Sequence, residues 1–271
     1  MMSHPECPAN ALTVAEAAAR AAGAKLRAAF HDTRDVDEMK AYDIKLALDR
    51  ECQELIASQL LAAFPDHCML GEEGNAGNES SPWRWIVDPL DGTVNYFYGI
   101  PHFSVSIGLS HGGMREGEEG SIRIGAVHDP MLDETWTVQS GGPAMLNGEP
   151  TQVSARDSLG AAIVTVGFSK SPDSIDHGLA RFKEISHRVR KTRMMGSAAL
   201  AMAYIASGRL DAYIEEEVSL WDIAAGKLLV EAAGGEVLLT PCAHPSAPGK
   251  YSICASNGRV PVREYAYPAA P

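Results

Sequence analysis

Asp88-Pro-Leu-Asp91-Gly-Thr93 closes the apolar run Trp85-Ile-Val87. Two aspartates three apart at the end of a strand-like stretch admit two readings. Asp-Pro followed by Asp-Gly is a common turn sequence at a surface. The same residues could instead build a cation site. Pro89 fixes its φ at about −65° and so stiffens the turn. The two carboxylates, with the carbonyl of Leu90, can then share one or two cations. Gly92 lets the backbone approach a ligand closely. The amides of Gly92 and Thr93, if they begin a helix, would face a phosphate. No His or Cys stands at metal-ligand spacing, and oxygen donors alone favour Mg²⁺ over zinc.

Other acidic residues also stand at the ends of elements. Glu72 and Glu73 follow Cys68-Met-Leu-Gly71 and precede Gly74, Asp222 opens a helix, and Asp49 lies within an earlier one. Each has a plainer reading, as a solvated pair of glutamates or as a helix cap. None carries the case alone.

The elements that must position these groups are legible as periodicities. Thr13-Val-Ala-Glu16 has the capping-box pattern, which predicts a first helix to Phe30. A second helix is expected from about Asp43 to Ala63, with Leu48, Cys52, Leu55, Ile56 and Leu60 on one face. The period then switches to two. Phe103, Val105, Ile107 and Leu109 alternate with Ser104, Ser106, Gly108 and Ser110, the pattern of a half-buried strand. Residues 121–129 and 134–140 follow at hairpin distance, so antiparallel pairing is expected. Beyond Pro150, strands are expected at 161–167, 210–215, 236–239 and 251–256. Helices are expected near 176–186, near 197–207 and from Trp221 to Ala233, the last closed by Gly234-Gly235. Runs of strands and helices in both halves predict an α+β arrangement of stacked layers. An N-terminal half, 1–149, would carry most of the acidic residues and a C-terminal half, 150–271, would carry Asp222, the two forming one compact unit.

Composition narrows the function. A content of 45% hydrophobic and 21% charged residues is that of a globular chain. No stretch approaches the ~20 apolar residues of a membrane helix, and the first helix carries Glu16, Arg20, Lys25 and Arg27, unlike a signal peptide. Five cysteines without C-x-x-C pairing point to reduced thiols and a cytoplasmic protein. A net charge of −12 argues against nucleic-acid binding. It opposes a phosphate substrate too, unless metal ions invert the local sign.

Taken together, the motifs resemble the inositol monophosphatase family, of the Mg²⁺-dependent, lithium-sensitive superfamily that includes fructose-1,6-bisphosphatase. The residues that carry the resemblance are Leu70-Gly-Glu-Glu73, Trp85-Ile-Val-Asp-Pro-Leu-Asp-Gly-Thr-Val-Asn-Tyr96, Gly99-Ile-Pro-His-Phe-Ser-Val-Ser-Ile107, Gly196-Ser-Ala-Ala199, Trp221-Asp-Ile-Ala-Ala225 and Glu231-Ala-Ala-Gly-Gly235. The resemblance implies an αβαβα sandwich, commonly a homodimer. It implies two to three Mg²⁺ held by Glu72, Asp88, the Leu90 carbonyl, Asp91 and Asp222. Glu72, Thr93 and Asp49 would serve catalysis, with Asp49 in a supporting role. Gly92, Thr93, Gly196, Ser197, Ala198 and Glu215 would contact the phosphate and the organic part of the substrate. One departure stands out: the family's Asp-x-Val-Thr before the position of Asp49 reads Asp43-Ile-Lys-Leu46. A hydroxyl becomes Leu46 and a charge appears at Lys45; Lys40 is a candidate for the family's upstream lysine.

Rival phosphatase and hydrolase patterns fail on spacing. Cys254 and Arg259 are separated by four residues rather than five, and Asp35-Val-Asp37 follows a polar stretch rather than an apolar strand. Gly108-Leu-Ser-His-Gly112 has the form of a nucleophile elbow, but a loop rather than a helix is expected after it. The expected substrate is myo-inositol monophosphate or a similar polyol phosphate. Histidinol phosphate, fructose 1,6-bisphosphate and a nucleotide 3′-phosphate stay open. So does a non-catalytic, RNA-linked regulatory protein on the same fold.

Overall fold

The computed structural model describes residues 6–32, 36–40, 43–112, 120–168, 172–242 and 249–266. Asp35, the loop 113–119 and the side chains of Asp37, Lys40, Asp43 and Lys45 lie outside the described residues.

The chain opens with helix α1 (Ala11–Ala29). It begins two residues before Thr13, after Asn10 in a left-handed conformation with φ 61° and no side-chain cap. The capping box expected at Thr13 is therefore absent: Thr13 is exposed within the first turn. Strands β1 (Val36–Lys40) and β2 (Asp43–Leu46) pair antiparallel. Helix α2 spans Ala47–Ala63, so the expected start at Asp43 is corrected by four residues. Leu46 stays extended, and Asp49 Oδ2 accepts its N–H at 3.1 Å, which sets the first turn of α2 there.

Next come β3 (Cys68–Gly71), β4 (Gly74–Gly77), β5 (Trp83–Asp91), the short helix α3 (Thr93–Phe97), β6 (Ser104–His111), β7 (Ser121–Asp129), β8 (Glu134–Gln139), β9 (Met145–Leu146) and β10 (Glu149–Pro150). These eight strands form one sheet in the order β10-β9-β8-β7-β6-β5-β3-β4. Hairpin neighbours are antiparallel as expected, but β3 and β5 run parallel. The rest of the chain supplies β11 (Ile163–Val166), α4 (Pro172–Ser186), β12 (Lys191–Arg193), α5 (Ala198–Ala206), β13 (Ala212–Val218), α6 (Leu220–Ala232), β14 (Glu236–Pro241) and β15 (Tyr251–Ser256). Its five strands order as β12-β11-β13-β15-β14.

Packing gives the layers. Helices α1 and α2 cover one face of the larger sheet, while α5 and α6 contact its other face and also the smaller sheet. Helix α4 lies against β11, β12 and β13. The two faces of the smaller sheet separate along β13: Tyr213 joins the core with α5 and α6, whereas Ala212 and Ile214 join the core that contains Ile185 of α4. The result is α+β, in the order αβαβα.

Strand β6 is not half-buried. Its apolar residues meet α1 and α2, and Ser104, Ser106 and Ser110 on the opposite face are fully enclosed. Helix α6 covers that face, with Ser106 Oγ donating to Trp221 O at 3.3 Å. Small residues allow the approach: a Cβ on Gly125 would meet Ala225 O at 2.6 Å. Ser110, the would-be elbow serine, is buried in this strand and donates to Arg84 O at 3.2 Å. Burial pushes the Cys254 thiol up to about 12, which further removes it as a nucleophile.

Candidate active site

The parallel pairing of β3 and β5 builds the first part of the site. Gly71 lies opposite Val87, and the Glu72 N–H continues the ladder to Val87 O at 3.2 Å. Glu72 is thus delivered beside Asp88. Gln53 of α2 holds the turn: its Oε1 accepts the Glu73 N–H at 2.9 Å and its Nε2 donates to Gly74 O at 3.0 Å. Gly71 leaves room for this amide, since a Cβ there would lie 2.2 Å from Gln53 Oε1. Sequence reasoning missed Gln53, because a helical glutamine carries no signal of a contact with a turn twenty residues on.

Along β5, Ile86 packs with Leu220 and Ala224 of α6, so Asp88, two residues on, continues the face turned to α6. Asp88 and Asp91 are 2% and 8% exposed, which excludes the solvated surface turn. Asp88 pairs with Ser106 and Asp91 with Ser104 of β6, and the irregularity between them falls on Pro89 and Leu90. Asp88 Oδ1 accepts the Leu90 N–H at 3.0 Å, and Thr93 Oγ1 donates to Leu90 O at 3.0 Å. Gly92, with φ 96°, caps α3. A Cβ on it would meet Gly196 O at 3.2 Å, so this position brings residues 92 and 196 together. Asn95 fastens the same junction, with Nδ2 donating to His102 O and to Met195 O, each at 2.8 Å.

Asp91 faces the start of α5. Its carboxylate accepts from Ser197 Oγ, from Ser104 Oγ at 3.3 Å and from the N–H groups of Ala198 and Ala199 at 3.2 and 2.9 Å. Ser197 Oγ in turn accepts the Leu200 N–H at 3.3 Å. Asp222 lies in the first turn of α6, not at its N-cap. Ser219 is the cap, and Asp222 Oδ2 accepts its N–H at 2.7 Å. Glu215 sits in β13, where Tyr213 OH donates to its Oε2 and a Cβ on Gly167 would fall 1.6 Å from that oxygen. The three consecutive glutamates are not alike. Glu216 Oε2 lies 3.0 Å from His177 Nδ1, and Glu217 is buried with φ 61° at a bulge.

Electrostatics tie these groups together. Burial raises the Asp88 carboxyl well above its ordinary value, and the charges of Glu72, Asp91 and Asp222 add to it. Burial likewise brings Asp91 to about 7, resisted by the Ser197 hydrogen bond and increased by Asp222. Glu215 reaches about 7 by burial, against the Tyr213 hydrogen bond, with Asp222 and Asp91 contributing. Asp49 is buried in the first turn of α2, where its Oδ2 accepts the Leu46 N–H. Among the described residues, no three acids, imidazoles or thiols form a finished metal cage. Asp91 and Asp222 instead have oxygens committed to helix N-termini. The donors are nonetheless all oxygen and mutually repelling, which suits a hard divalent cation.

Comparison with known proteins identifies the family of the chain. The model of the inositol monophosphatase family matches residues 8–267. The Nus factor SuhB of Pseudomonas aeruginosa is 37% identical over 234 residues, covering 83% of this chain and 84% of that protein. Inositol monophosphatase 3 of Solanum lycopersicum is 37% identical over the same length, with 83% and 84% covered. The solved structure of inositol monophosphatase from Anabaena superposes with a TM-score of 0.76 at 33% identity, covering 92% of this chain and 90% of that one. With its layers, its acidic strand end and these relatives, the chain belongs to the inositol monophosphatase family.

Proposed function

We propose that this protein is a Mg²⁺-dependent phosphomonoesterase that hydrolyses myo-inositol monophosphate or a similar polyol phosphate. The observation that carries the reading is Asp88, whose carboxyl is raised first by burial and then by the like charges of Glu72, Asp91 and Asp222. Such a cluster is costly unless a cation or protons neutralise it. Glu72, Asp88, the Leu90 carbonyl, Asp91 and Asp222 would hold two to three Mg²⁺. Bound there, Mg²⁺ would supply Lewis acidity and countercharge to the phosphate oxygens. Thr93 spends its hydroxyl proton on Leu90 O, which leaves its lone pairs to orient an attacking water, and Glu72 would accept that water's proton. The Gly92 and Thr93 amides would bind phosphate oxygens where charge develops. Glu215 would accept from substrate hydroxyls, and Gly196, Ser197 and Ala198 would line the organic part. Asp49 supports the first turn of α2. In this reading residues 1–149 supply most of the ligands, residues 150–271 supply Asp222 and the substrate contacts, and the working form is a homodimer.

The test is phosphate release from inositol 1-phosphate. Activity should vanish after exhaustive treatment with EDTA and return with Mg²⁺, and both Li⁺ and high Ca²⁺ should inhibit it. Full turnover after metal removal would overturn the reading. The similarity to a Nus factor favours a second reading, a regulatory protein without this reaction. No phosphate release from any polyol phosphate with Mg²⁺ present, together with salt-sensitive RNA binding, would establish that one instead.

A further inference from the structure

Strand β13 changes phase before it reaches α6. Tyr213 donates to Glu215, as residues two apart on one face of a strand can. By the same alternation Val218 belongs to the opposite face, with Ala212 and Ile214, against α4. It does not lie there. Val218 is buried in the core that holds Tyr213, α5 and α6, while Ala212 and Ile214 pack with Ile185 of α4. The register explains the inversion. Glu215 pairs with Ile253 and Val218 with Tyr251, so on β15 only Ser252 lies opposite Glu216 and Glu217. This is a bulge, with one extra residue in β13. Glu217 forms it with φ 61°. Among the described residues three other non-glycines have positive φ, and all are exposed: Asn10, Asp133 and Asn147. Asn and Asp adopt that conformation readily, whereas a glutamate does so at a cost. Glu217 alone holds it inside a strand, and there it is 8% exposed.

We propose that Glu217 is a positioning residue, whose left-handed backbone brings Glu215 and the first turn of α6 to one side of the smaller sheet. The proposal rests on reading Glu215 as the group that accepts from substrate hydroxyls. Up to Glu215 the strand is pinned by β11 and β15, with Val166 opposite Ile214 and Ile253 opposite Glu215. Two residues after Glu217 comes Ser219, the cap of α6, whose N–H goes to Asp222 at 2.7 Å. The reversal of phase therefore falls on Glu216 and Glu217. Without it, Val218 would turn towards α4 and draw the start of α6 away from the face that carries Glu215. Backbone strain persists where the surrounding structure holds it, and beside a site it can serve positioning. The role belongs to the backbone of Glu217 and not to its carboxylate.

The experiment compares the full chain with Glu217→Gly, Glu217→Asn and Glu217→Val on inositol 1-phosphate and p-nitrophenyl phosphate. All three remove the carboxylate, but glycine and asparagine accept a positive φ and valine does not. Glu217→Val should raise KM for inositol 1-phosphate about tenfold, with kcat on p-nitrophenyl phosphate within about twofold of wild type. Glu217→Gly and Glu217→Asn should match wild type on both substrates. A like rise of KM in all three would make the carboxylate the working group and overturn the proposal. So would an unchanged KM in Glu217→Val, or equal losses on both substrates, which would reduce Glu217 to a support of the fold. Should Glu217→Val not fold, Glu217→Thr, branched yet polar, takes its place with the same expected rise. Calorimetric titration with inositol 1-phosphate separates this from the catalytic reading. Binding kept in Glu217→Gly and lost in Glu217→Val, with no turnover by wild type, would support Glu217 and overturn the phosphatase. Turnover of both substrates by wild type, with the same KM in every variant, would do the reverse.

Discussion

Thr93 shows how one hydroxyl can be committed on one side and available on the other. Its proton goes to Leu90 O at 3.0 Å, so in the proposed reaction it would meet a nucleophilic water as an acceptor. Thr93→Ala removes that acceptor and leaves the amide, and with it the proposed phosphate contact. The expected result is a fall of at least ~100-fold in kcat with KM little changed, the signature of an interaction made mainly in the transition state. Thr93→Ser should retain most of the rate. A raised KM at unchanged kcat would make the hydroxyl a substrate-binding group only. Glu215 is tested in a different way, through the residue that makes room for it. Gly167 N–H donates to Ile214 O at 2.9 Å, and any Cβ on Gly167 collides with Glu215 Oε2. Gly167→Ala should therefore reproduce Glu215→Gln: a loss of roughly 1–3 kcal/mol in kcat/KM on inositol 1-phosphate and much less on p-nitrophenyl phosphate. Equal losses on both substrates, or a similar effect from Glu216→Gln, would return Glu215 to a structural role.

Elements were legible where the signal is local and obscure where it is not. The alternation of Phe103, Val105, Ile107 and Leu109 marks a strand, and those side chains do face the α1–α2 core. The serine face reads as exposed because its cover, α6, lies more than a hundred residues away, as the Ser106–Trp221 contact shows. The parallel neighbourhood of β3 and β5 is likewise a tertiary fact, although it is what puts Glu72 beside Asp88. Asp88 and Asp91 were readable because Asp-Pro-x-Asp-Gly-Thr concentrates their chemistry in six positions, whereas Glu72 and Asp222 were reached only through the family resemblance. Gln53 and Asn95 were not, since each acts through a partner remote in sequence and each residue type is ordinary on a surface. At this scale the start of α5 is the element most exposed to a single change. Ser197 both caps Leu200 and donates to Asp91. Ser197→Ala should lower stability by about 1 kcal/mol, the usual value of an N-cap, seen as a few degrees in Tm. It should also weaken turnover, because Asp91 then loses one of the donors that fix it. A variant with unchanged Tm would mean that Asp91 alone suffices to cap the helix.

Across the whole molecule, the cost of gathering acids between two sheets should be visible in the pH dependence of stability. Asp91 and Glu215 are carried to about 7 and Asp88 well above its ordinary value, in each case first by burial. In the unfolded chain these groups titrate near ~4. Between those limits the metal-free native state holds protons that the unfolded state has released, so stability is fully present below ~4 and is lost as pH rises toward 7. His67, His102 and His128, whose proton affinity burial lowers, act in the opposite direction. They lose stability as pH falls, whether or not metal is bound. The difference between Tm with Mg²⁺ and Tm with EDTA therefore isolates the acids, because a cation that binds the deprotonated cluster stabilises only the native state. That difference should grow steadily from pH 5 to pH 8 in wild type and shrink in Asp88→Asn. A difference that stays constant across the range would mean that Glu72, Asp88, Asp91 and Asp222 do not share a cation.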